Sequence, residues 1–188
     1  MTAKSELIPS GSQTVGPYYR IGLDYLAERA PKLEPGSPGV VEIRGQVLDR
    51  DGIPVPDALL EFWSADASRA ETPAAGIDTF PRGFHRVATD SDGRFSVAVA
   101  KPDPAPLGDG RMQAPHMLVL VYARGLLRNL ITRVYFGDEP ANAEDPVLLE
   151  IPVERQGTLV ARPSAPDAIV FEWNVILQGD KETVFFAW

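Results

Sequence analysis

The chain has 188 residues, 18 Lys and Arg against 26 Asp and Glu, a net charge of -8, 44% hydrophobic residues and no cysteine. That size suits one domain with arms and loops, and the hydrophobic share suffices for a core. The acidic balance argues against nucleic acid as a partner, since phosphate binding needs a basic face, and the absent cysteine excludes disulfides, thiolate metal sites and a cysteine nucleophile. Neither a signal-peptide core behind Met1-Thr2-Ala3-Lys4-Ser5-Glu6 nor a membrane-length apolar run is present, so a cytoplasmic protein without membrane contact is expected. An anionic small substrate would need a local positive side chain against the background field.

Residues 1–39 read as an arm. Its stretch Ser10-Gly11-Ser12-Gln13-Thr14-Val15-Gly16-Pro17-Tyr18-Tyr19 is turn-forming and ends on adjacent aromatics. Residues 21–29 suit one or two helical turns, and residues 31–39, with three Pro and two Gly, form a connector. The arm is expected to pack on a partner chain, its own domain being the plainer alternative.

Residues 40–188 read as one domain. Val41, Ile43 and Val47 alternate with Glu42, Arg44 and Gln46, the period of a strand. Asp49-Arg50-Asp51-Gly52 is a hairpin turn, and Leu59-Leu60-Glu61-Phe62-Trp63 returns, with Trp63 expected in the core. Residues 64–82 form a long loop of the kind that carries function or an interface. Strands follow at residues 84–89 and 94–99 around the turn Asp90-Ser91-Asp92-Gly93. Residues 101–110 are loop.

The most apolar run, residues 112–122, reads as one buried strand with His116 near its start. Residues 129–136 alternate with Leu130, Thr132, Val134 and Phe136 on one face and Ile131, Arg133 and Tyr135 on the other. Residues 137–145 form an acidic turn region. Residues 147–151 suit a short helix or a strand. Residues 158–161, 168–177 and 183–186 complete the strands. The expected fold is all-β, a β-sandwich of about eight to ten mostly antiparallel strands with an N-terminal arm and long loops.

Candidate chemistry is sparse. His116 is either a packed polar residue or a ligand, and one histidine cannot hold a metal, which needs at least three converging ligands. His85 reads as an edge histidine. Asp49, Asp51, Asp90 and Asp92 lack the remaining ligands of a calcium loop, so turn geometry explains them better. No phosphate loop, dinucleotide fingerprint or nucleophile elbow occurs. Arg133, among apolar neighbours, is either an outward-facing residue or a guanidinium offered to a carboxylate, which Arg grips bidentately.

Taken together, several segments resemble the intradiol ring-cleavage dioxygenases. They are Ser12-Gln13-Thr14-Val15-Gly16-Pro17-Tyr18, Ile43-Arg44-Gly45-Gln46-Val47, Glu61-Phe62-Trp63-Ser64-Ala65-Asp66, Thr89-Asp90-Ser91-Asp92-Gly93-Arg94-Phe95, Ala114-Pro115-His116, Thr132-Arg133-Val134-Tyr135-Phe136 and Glu182-Thr183-Val184-Phe185-Phe186. The resemblance implies a non-haem ferric ion held by two tyrosinates and two histidines, hard anionic oxygens suiting Fe(III). This sequence departs from that pattern. His116 matches one histidine, but Leu118 occupies the other; Ala105 and Glu71, or a neighbour of it, stand for the tyrosines, and Gln113 for an arginine. No metal and no catalytic residue are therefore expected in this chain.

The resemblance is closest to the iron-free subunit type of a two-subunit member. It implies a homologous iron-bearing partner, Fe(III) in that partner, a higher hetero-oligomer, and protocatechuate and O2 as substrates. It also implies that Thr14, Gly16, Pro17 and Arg133 line the substrate pocket. The alternative is a stand-alone transthyretin-like binding module without catalysis.

Overall fold

The computed structural model describes residues 11–16, 18–22, 33–64, 83–166 and 168–187. Strand β1 (Val40–Leu48) pairs antiparallel with β4 (Arg94–Ala100), and both alternate as their sequences require. Val41, Ile43, Val47, Phe95, Val97 and Val99 turn into the core. A second layer runs β3 (Phe84–Ala88), β2 (Leu59–Ser64), β7 (His116–Tyr122), β8 (Leu130–Phe136), all antiparallel. Its inner face carries Leu60, Phe62, Met117, Val119, Val121 and Val134, all fully buried. Burying one such side chain is worth about 1.5–3 kcal/mol relative to exposing it.

Strands β9 (Val160–Pro163), β10 (Val170–Glu172) and β11 (Val175–Ile176) join the layers through the order β11-β1-β10-β9-β8-β7-β2-β3. The sheet thus folds over on itself as a sandwich, and most of its pairings are antiparallel. Residues 168–177 are not one strand. The ladder breaks at Trp173 and Asn174 between β10 and β11, which both run parallel to β1 in one unbroken register. Gly45 lies under the break, and the Asn174 side-chain oxygen accepts the Gln46 amide at 2.9 Å in place of a ladder carbonyl. Trp173 turns into the core there, edge-on to Phe62 and Phe95 at 6.4 Å each.

The Asp turns are hairpin devices. Asp49 Oδ1 accepts the amides of Asp51 and Ile53 at 2.9 and 2.8 Å, and Asp90 Oδ1 those of Asp92 and Arg94 at 2.9 and 2.8 Å. Residues 112–122 divide into β6 (Met112–Gln113) and β7, because Pro115 brings no amide to the ladder. Strand β6 pairs back on β5 (Ala105–Pro106), inside the stretch read as loop. Residues 147–151 contain a 3₁₀ turn, Leu148–Glu150, followed by a short helix, Val153–Gln156. Residues 183–186 form no strand; the Phe186 amide donates to Ile131 O at 2.7 Å.

Trp63 is not in the central core. It points with Leu59 and Glu61 to the outer face of β2, half-buried, its ring 4.4 Å from that of Phe84. The described part of the arm lies against its own domain. Helix α1 (Tyr18–Ile21) sets Tyr19 on Tyr122, ring centres 5.0 Å apart, and Arg20 on Asp57 at 2.5 Å. Asp57, at φ 61°, sits in the left-handed region within the turn after Pro56. Most of the long loop, residues 65–82, lies outside the described residues.

Candidate functional site

Strand β7 lies between β2 and β8, so its outward side chains have neighbours on both sides. His116 is opposite Tyr135, and Leu118 lies between Trp63 and Arg133. The β5–β6 pairing sets Ala105 against Gln113. The fold therefore places Ala105, Gln113, His116 and Leu118, the positions singled out by the motif comparison, in adjoining strands. Glu71 lies outside the described residues.

His116 is packed rather than poised. Its Nδ1–H donates to Ala114 O at 2.8 Å, and its ring stacks on Tyr135 with centres 5.2 Å apart. Burial lowers its pKa from 6.5 to about 4, so the ring is neutral at pH 7. Unfolding exposes a ring that binds a proton below pH 6.5, whereas the folded ring resists until about pH 4. Stability is thus complete above pH 6.5 and falls as pH drops towards 4, by about 3 kcal/mol at most. A pH series of unfolding temperatures should show this loss in the native chain and a smaller one in His116→Gln; equal slopes would contradict it.

Arg133 leans across the same outer face. Its Nη1 donates to Gln113 Oε1 at 2.7 Å and to the Tyr135 hydroxyl at 3.1 Å, and its guanidinium lies 5.7 Å from the Phe186 ring centre. Tyr135, fully buried, donates in turn to Asp145 Oδ1 at 3.2 Å. Burial raises the Tyr135 pKa, so the phenol keeps its proton. Asp145 is fully buried too. It accepts the amides of Ala114 at 2.8 Å and of Val147 and Leu148 at 2.9 Å each. Nearer the β3 edge, Arg86 pairs with the buried Glu61.

The other expected pocket residues lie on the arm. Thr14 Oγ1 accepts the Gly125 amide at 3.0 Å, and Gly16 takes φ 65°. Pro17 lies outside the described residues. Beside the arm is a cleft of about 520 Å³ walled by Gln13, Val15, Tyr122, Leu126 and Phe186. Phe186 borders both this cleft and Arg133. No hydrogen bond among the described residues joins Thr14 or Gly16 to Arg133. The larger hollow, about 1120 Å³, lies over Glu42, Arg44 and Glu172 and shares none of these groups.

The donor set does not fit a ferric ion. Leu118 and Ala105 offer hydrocarbon where ligands would be needed, and the one tyrosine against His116 is a protonated phenol bonded to Asp145. Among the described residues no group of three or more His, Cys, Asp or Glu could hold a metal ion. Sequence reasoning set Tyr135 on the Arg133 face and Phe186 in a family segment without giving either a role, and it singled out neither Gln113 as a partner of Arg133 nor Asp145. Only Tyr135 carried a signal, since period two places it on the Arg133 face.

A family model described as Dioxygenase matches residues 16–179. The chain belongs to this family, the intradiol ring-cleaving dioxygenases that its sequence resembles. It is 42% identical over 198 residues to a protocatechuate 3,4-dioxygenase alpha chain from Burkholderia cepacia, covering 93% of this chain and 95% of that one. Its identity to the alpha chain of Pseudomonas putida is 36%, over 96% and 98% of the two chains. The beta chain from Burkholderia cepacia is 28% identical over 76% of this chain and 66% of its own. Among solved structures, 3-chlorocatechol 1,2-dioxygenase from Rhodococcus opacus 1CP shares the fold, with a TM-score of 0.58 at 18% identity, over 93% and 69% of the chains. No helix among the described residues is long and apolar enough to cross a membrane.

Proposed function

We propose that this chain is the iron-free alpha subunit of a cytoplasmic protocatechuate 3,4-dioxygenase. With a homologous beta chain that carries Fe(III), it would cleave the protocatechuate ring between its two hydroxyl-bearing carbons. Both atoms of O2 enter the product, 3-carboxy-cis,cis-muconate, in the β-ketoadipate route of aromatic degradation. One observation carries this reading: where the resemblance implies iron ligands, the described residues are His116 and Leu118 on one strand and Ala105, paired with Gln113, nearby in the chain fold, so ligand atoms are missing. Similarity along nearly the full length of two alpha chains supports it.

In this reading residues 1–39 form an arm on the domain of residues 40–188, and its outward side reaches the partner. Thr14, Gly16 and Pro17 wall the partner's pocket, and Arg133 meets the substrate carboxylate, supplying the local positive charge that a chain of net charge -8 needs. Arg133→Ala in the assembled enzyme is expected to raise KM for protocatechuate about 10- to 100-fold with little change in kcat, the loss of one charged contact. An unchanged KM would make Arg133 structural.

A further inference from the structure

Resting on that reading, we propose that Gln113 and Tyr135, the latter held by Asp145, form a clamp that fixes the Arg133 guanidinium for the substrate carboxylate. They are positioning residues for that contact. Arginine is long, and holding a free one in a single geometry costs rotamer entropy. Here both hydrogens of Nη1 are taken, one by Gln113 Oε1 at 2.7 Å and one by the Tyr135 hydroxyl at 3.1 Å. The Phe186 ring covers the guanidinium at 5.7 Å. The edge left for a bidentate carboxylate is therefore that of Nε and Nη2.

The chemistry of the two holders suits this role. Each offers Arg133 a neutral oxygen, an amide carbonyl and a protonated phenol. The carboxylate of this network, Asp145, stands one residue behind, its Oδ1 taking the Tyr135 proton at 3.2 Å and two backbone amides at 2.9 Å. A carboxylate placed directly on Arg133 would compete with an anionic substrate. The interposed phenol transmits the hold without placing that charge on the guanidinium.

The test uses the enzyme assembled with its iron-bearing partner and two substrates, protocatechuate and catechol, which lacks the carboxylate. Tyr135→Phe keeps the ring that stacks on His116. It is expected to raise KM for protocatechuate about 3- to 10-fold, leaving its kcat and the KM for catechol within twofold. Gln113→Glu keeps size and shape but puts a carboxylate on Arg133, and should raise KM for protocatechuate alone by at least as much. It answers the question if Tyr135→Phe does not assemble. Equal losses on both substrates, or no change in either variant, would overturn the clamp. Arg133→Ala separates the two ideas. If it raises KM for protocatechuate while the clamp variants do not, the clamp fails and the pocket reading stands. If it has no effect, the pocket reading fails and the clamp with it.

Discussion

Asp145→Ala is expected to destabilise the chain by about 3–5 kcal/mol, the range for breaking a buried hydrogen-bond network. Asp145 is 0% exposed and satisfies three backbone amides and one phenol. The Ala114 amide belongs to the turn that launches β7, and those of Val147 and Leu148 belong to the 3₁₀ turn. Removing the carboxylate strands all three donors in a place water does not reach. Asp145→Asn should cost less, because one oxygen still accepts Val147 and Leu148 while the new amide faces the Ala114 N–H. Thermal unfolding should order the three proteins native, Asn, Ala; an Ala variant as stable as the native chain would show that water replaces the carboxylate.

Gly45→Ala should be comparably severe. A Cβ there would stand 1.6 Å from Trp173 O and 2.6 Å from its carbonyl carbon, both backbone atoms. The segment between β10 and β11 would have to lift from β1, loosening the Trp173 N–H to Arg44 O bond of 2.9 Å and the Asn174 cap on Gln46. Trp173 would leave its place between Phe62 and Phe95. We expect a loss of about 3–5 kcal/mol, read as a fall in unfolding temperature of about 6–20 °C for a chain of this size. An unchanged unfolding temperature would mean that the two strands slide without strain.

These residues mark where sequence reasoning reached and where it stopped. Strand β1 was legible because Val41, Ile43 and Val47 alternate with polar residues, and the turns because Asp precedes Gly with hydrophobic runs on either side. The outer position of Trp63 was also written in period two, which groups it with Glu61, but its size argued for the core. Pro115 marked the break between β6 and β7, yet the apolar run concealed it. The break in the ladder at Trp173 and Asn174 had no local sign, since it lies over Gly45, more than a hundred residues earlier. Asp145 was hidden for a similar reason: two of its partners, the Ala114 amide and the Tyr135 hydroxyl, lie outside its own turn, and amide donors leave no mark in a sequence. Arg133 could be singled out by its setting, but not its holders, because Gln113 reaches it only through the β5–β6 turn-back.

If the chain forms half of an active site whose iron belongs to a partner, metal analysis of the chain purified alone, and after co-expression with the homologous beta chain, will show it. The chain alone is expected to be iron-free, colourless and inactive, and the assembly coloured, cleaving protocatechuate with one iron per pair of chains. Stoichiometric iron and ring cleavage in the isolated chain would contradict it.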